Sequence, residues 1–142
     1  MFTIRAISAD NLEAVWPVAE PILRRATDTT NGRYSTDDLK QQVEKGNALL
    51  WVVLDGEGKI VAASSGVIRS YPRMKALLWH HLAGDGIREW GPQLSAQVEN
   101  VARQCGCERV EFAGRSGWGR LLGRILEGHG YETAFVAYEK VL

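Results

Sequence analysis

The apolar positions of this chain change period several times, and each change marks an element. Residues 2–7 set Phe2, Ile4 and Ala6 against Thr3, Arg5 and Ile7, the alternation of a short strand. Leu12, Val15, Trp16, Ala19, Ile22 and Leu23 then recur at spacings of three and four, which predicts an amphipathic helix. Asp10, with Glu13 three residues on, has the pattern of a capping box for its start. Pro17 and Pro21 predict a kink in it, or two short pieces. Residues 27–34, TDTTNGRY, have no period and read as a polar loop. Ser35 or Thr36 caps a second helix that carries Leu39 and Val43 and ends at Gly46.

Residues 47–54 are an apolar strand, Asp55-Gly56-Glu57-Gly58 a hairpin turn, and residues 59–69 the partner strand. Tyr71-Pro72-Arg73-Met74 turns the chain again, and residues 76–83 form a third consecutive antiparallel strand. The corner Gly84-Asp85-Gly86 follows. Beyond it, Ile87, Trp90, Leu94, Val98, Val101 and Cys105 continue one apolar stripe, which favours a helix starting at Asp85 as its cap. Pro92 supports a second reading, in which residues 84–91 are a loop and the helix begins at the proline. Residues 108–114 are a strand, 117–128 a helix and 131–141 a closing alternating strand. The order β-α-α-β-β-β-α-β-α-β predicts an α/β (α+β) domain over residues 1–142. Its sheet is mixed and mostly antiparallel, with helices on both faces.

Composition narrows the function. Seventeen basic and seventeen acidic residues give no formal net charge, which disfavours a nucleic-acid or anionic-membrane surface. No apolar run has the length of a membrane span, and MFTIRAIS lacks the features of a signal peptide, so a cytoplasmic protein is expected. Cys105 and Cys107 are too few for a structural zinc site, and no metal centre is expected. Strand, glycine corner and helix in succession aim backbone N–H groups at an anionic ligand.

The end of the chain, ERVEFAGR followed by LEGHGYE, together with this element order, resembles the GCN5-related N-acetyltransferase (GNAT) fold. Tyr71-Pro72-Arg73, Gly114-Arg115 with Gly117-Trp118, and Gly130-Tyr131-Glu132 are similar to short GNAT-like proteins of bacteriophage genomes. The resemblance implies acetyl-CoA as cofactor and a small-molecule or protein amine as acceptor. That family holds the pyrophosphate with an R/Q-x-x-G-x-G/A loop. The nearest match is taken as Arg88 and Gly91, with Gln93 where Gly or Ala belongs. The implied cofactor residues are Leu82, Gly84, Gly86, Ile87, Arg88, Gly91 and Arg115. Asn31, Arg33 and Tyr34 fall in the loop that borders the acceptor in this family.

Acetyl transfer needs a base for the attacking amine. His80, His81 and Glu111 are the candidates. The two histidines are adjacent on a strand and so are expected on opposite faces, where ordinary strand packing is the plainer account. The family's tyrosine in the last helix has no counterpart; Leu126 falls near its place. The alternative is therefore a GNAT-fold protein without catalysis, a structural or interaction partner of other phage proteins in the virion or its assembly.

Overall fold

The computed structural model describes residues 1–114, 117–118 and 130–142. Five strands form one sheet in the order β1-β2-β3-β4-β5, where β1 is Thr3–Ala6, β2 Leu49–Leu54, β3 Ile60–Ser70, β4 Lys75–Gly84 and β5 Arg109–Phe112. The first four pair antiparallel, and β5 joins β4 in parallel. Helices α1 (Leu12–Thr27) and α2 (Thr36–Glu44) lie on one face, and α3 (Ile87–Gln104) lies on the other. The fold is the mixed, mostly antiparallel sheet between helical layers that the apolar periods predict.

Each face has its own core. Leu12, Trp16, Ala19 and Leu23 of α1 meet Leu50, Val52 and Ala63 of the sheet, with Leu39 and Val43 of α2 alongside. On the other face Trp90, Leu94 and Val98 of α3 meet Trp51, Val53, Leu77 and Trp79. Trp51, Trp79 and Trp90 are each fully buried, in keeping with tryptophans as packing residues.

Several local expectations change. Helix α1 runs unbroken through Pro17 and Pro21. Both prolines are exposed and one turn apart, so the carbonyls they leave without a donor face water. The Asp10 capping box does not form. A single 3-10 turn, Ala9–Asn11, precedes α1, and Glu13 pairs instead with Lys40 Nζ at 2.9 Å. Ser35 is the cap of α2, and it forms a capping box, with Asp38 N donating to Ser35 Oγ and Ser35 N to Asp38 Oδ2. Asp55 Oδ1 fixes the hairpin turn by accepting from the N–H groups of Glu57 and Lys59, both at 2.9 Å.

The last elements divide. Most of the expected helix over 117–128 lies outside the described residues. The expected strand over 131–141 is not paired with the sheet: residues 130–142 carry no strand. Tyr131 packs on the α3-side core, whereas Phe135, Val136 and Tyr138 are exposed. Alternation states which faces a strand would present; it does not supply the edge on which to pair.

Candidate active site

The site begins where two strands part. β4 and β5 are paired only from Ala76 and Arg109 to Trp79 and Phe112. β4 then continues to Gly84, while β5 ends. Beyond Trp79 the outer edge of β4 has no strand beside it among the described residues, and a cleft of about 580 Å3 opens there. Leu78, Leu82, Ile87, Trp90, Phe112 and Trp118 form its apolar wall, and the α1–α2 loop forms its polar one.

A bulge puts both histidines in this cleft. Ala63 pairs with Ala83 but Ser65 pairs with His80, so one residue of β3 faces two of β4. His81 takes the extra step with a left-handed backbone, φ 52°. The alternation of β4 shifts by one at that point, and Leu82 joins the same core as Leu77 and Trp79. The expectation that His80 and His81 lie on opposite faces is thereby corrected. Their ring centroids are 3.9 Å apart, edge to face, and Tyr34 lies over both at 5.7 Å and 4.7 Å. A positive φ at a non-glycine residue stores strain and recurs at functional sites.

Both imidazoles are 7% exposed, and the Nε2 atom of each has no partner among the described residues. Desolvation lowers His80 to about 3, helped by the charges of His81 and Arg69, and lowers His81 to about 4 by burial alone. Both rings are therefore neutral at pH 7. Ser65 Oγ donates to the His80 carbonyl at 3.2 Å and lies 3.4 Å from His80 Nδ1. That arrangement suits a proton on Nδ1 and leaves the Nε2 lone pair buried and without a partner among the described residues. Glu111 is not brought to the cleft wall. Its Oε2 accepts from Tyr71 Oη at 3.0 Å, beside the β4–β5 pairing.

The lower end of the cleft is a helix start. Helix α3 begins at Ile87 and contains Pro92, as the continuous stripe implies. Its N-cap is Gly86 in the left-handed region, φ 81°, and not Asp85, whose exposed carboxylate faces Arg25 at 3.5 Å. Among the described residues no acceptor is bonded to the N–H groups of Gly86, Ile87 and Arg88. The Asp85 carbonyl accepts from Trp90 Nε1 at 2.7 Å, which ties the corner to the helix core. Gly84 is enforced from behind: a Cβ there would lie 2.3 Å from Ala62 Cβ.

The residues expected to hold the cofactor fall in different places. Leu82, Gly84 and Ile87 line the cleft and Gly86 caps the helix beside it. Arg88 is exposed on the first turn of α3, whereas Gly91 is buried inside the helix. Gln93, the misfit in the motif, donates from Nε2 to the Phe2 carbonyl at 3.3 Å and ties α3 to the residue just before β1. The spacing x-x-G-x-G occurs instead at Leu82-Ala83-Gly84-Asp85-Gly86, at the strand-to-helix junction, with His81 in the leading position. This glycine pair lies seven residues before the Arg88–Gln93 match, and it is the part of the motif that falls at the strand-to-helix corner. Arg115 lies outside the described residues, as does Leu126. Asn31, Arg33 and Tyr34 all line the cleft.

No family model matches the chain, and no curated protein matches it. Solved structures do. A GCN5-related N-acetyltransferase from Ralstonia eutropha JMP134 superposes with TM-score 0.70 at 17% identity, over 99% of both chains. The fold is that of the GCN5-related N-acetyltransferases. Glucosamine-6-phosphate N-acetyltransferase from Arabidopsis thaliana shares the GNAT fold with TM-score 0.63 at 14% identity, over 98% of both chains. A structure described as a transcriptional regulator from Bacillus halodurans C-125 shares it with TM-score 0.68 at 18% identity, over the whole of both chains. At such identities the likeness is one of fold alone.

Proposed function

We propose that this chain is an acyl-CoA-dependent N-acetyltransferase whose cofactor enters between the parted ends of β4 and β5. The observation that carries the reading is that gap, with an unpaired strand edge above and a left-handed glycine at a helix N-terminus below. The free edge of His80–Leu82 offers hydrogen bonds to an extended amide chain such as pantetheine. The N–H groups of Gly86, Ile87 and Arg88, together with the positive end of α3, suit a pyrophosphate. Arg88 adds a cation at the rim. Acetyl-CoA supplies the activated thioester.

The acceptor amine then lies under Tyr34, His80 and His81. Rings held near 3 and 4 are weak proton sinks, but they stay neutral at pH 7 and so keep a lone pair as acceptor. Each Nε2 would accept from an amine N–H and so turn the nitrogen lone pair toward the thioester carbon; as the C–N bond forms the C–S bond breaks, and the proton shed by the nitrogen ends on the sulfur, which leaves as the free thiol. The amine therefore enters uncharged. Its rate should rise with pH along the acceptor's own titration, with no inflection near 6.5.

Release of free thiol from acetyl-CoA in the presence of a panel of primary amines tests this directly. Transfer is expected in the wild type and should fall about a hundredfold in the His80→Ala, His81→Ala double variant. A folded protein that releases no thiol above the buffer rate with any amine would overturn the enzyme reading. It would leave a GNAT-fold structural or interaction protein, of the kind the phage resemblance implies.

A further inference from the structure

The α1–α2 loop holds a feature that acetyl transfer alone does not require. Asn31 and Gly32 have φ of 54° and 80°, and Arg33 N donates to the Thr30 carbonyl at 3.2 Å. This is a tight turn with two left-handed central residues, the conformation that an Asn-Gly pair favours. It projects the side chains of Asn31 and Arg33 to one place. Arg33 Nη1 is fixed by the Thr30 carbonyl at 3.3 Å, which leaves Nη2 to face outward.

A carboxylate already sits there. Glu139 Oε1 accepts from Asn31 Nδ2 at 2.8 Å, and its Oε2 accepts from Arg33 Nη2 at 2.7 Å. Each oxygen receives one donor, and one of the donors is charged, the geometry of a strong carboxylate fork. Glu139 belongs to the unpaired segment 130–142, more than a hundred residues away in sequence, and lies half-exposed beside the cleft. Its carboxyl is held below the usual range by these two donors. Tyr34, the next residue after the fork, is the one that lies over both histidines. No acidic side chain lines the cleft among the described residues, whereas Arg25 and Arg33 do.

We propose that Asn31 and Arg33 bind a carboxylate of the acceptor, which makes the acceptor an amine that carries a carboxylate, such as an amino acid. Glu139 occupies the fork, and the acceptor displaces it. This rests on the transferase reading for the word acceptor, but the fork can be tested without catalysis.

The test is calorimetric binding of phenylalanine and of phenethylamine, which differ by the carboxylate, to wild type, Glu139→Gln and Arg33→Ala, with acetyl-CoA binding measured on the same samples. Phenylalanine should bind wild type more tightly than phenethylamine does, and Glu139→Gln should tighten phenylalanine alone by about tenfold. Arg33→Ala should abolish the preference while its circular dichroism stays that of the wild type. Equal binding of the two probes, or no gain in Glu139→Gln, overturns the carboxylate site. If acetyl-CoA binds and the preference is absent, only this proposal falls. If the preference is present and acetyl-CoA does not bind, the transferase reading falls and the site stands. If neither is seen, both fall.

Discussion

At the scale of the residue, the histidine pair governs how this molecule responds to acid. Burial lowers His80 to about 3 and His81 to about 4, against 6.5 for the free side chain. The unfolded chain therefore binds more protons than the folded one across that interval. Stability is fully present above 6.5 and is lost as the pH falls toward the folded values. The unfolding midpoint should drop between about pH 6.5 and 5, before most carboxylates titrate. The His80→Gln, His81→Gln double variant should flatten that segment of the profile. A wild-type midpoint that stays constant over the interval would show that the rings are not buried neutral. Of this site the sequence displayed only the two residue types. The bulge opposite Ser64 that turns both rings to one side is a property of strand pairing, and alternation counted along a single strand cannot register it.

At the scale of the element, the junction of β4 and α3 is held by backbone shape more than by side-chain chemistry. Gly84 at φ 143° has Val61 O and Ala62 Cβ where its own Cβ would stand, at 2.6 Å and 2.3 Å. Gly84→Ala should push β3 and β4 apart and lower stability by about 2–3 kcal/mol in urea unfolding. A loss below about 0.5 kcal/mol would mean that the corner relaxes freely. The continuous α3 was legible because six apolar residues keep one stripe, and burial of Trp90, Leu94 and Val98 outweighs the hydrogen bond that Pro92 forgoes near the helix start. Its cap was not legible in the same way. Asp85 looked like a cap by residue type, but the left-handed turn at Gly86 points the aspartate outward. Asn31-Gly32 likewise looked like formless loop, although that dipeptide is itself a turn signal.

At the scale of the whole molecule, the succession of elements along the chain follows from the periods of the apolar residues, and the five described strands fall in the segments those periods mark. The gap between β4 and β5 does not follow from any local pattern. It exists because β5 is four residues long beside a ten-residue β4, so the paired part ends before the longer strand does. That mismatch is the basis of the cofactor reading, and it is open to one direct measurement. Acetyl-CoA at millimolar concentration should raise the unfolding temperature of the wild type by several degrees, since a ligand selective for the native state stabilises it by about 2.7 kcal/mol at a hundred times its Kd. Gly86→Pro, which forbids the left-handed cap, should lose that rise. An unfolding temperature unchanged by acetyl-CoA in the wild type would contradict the account.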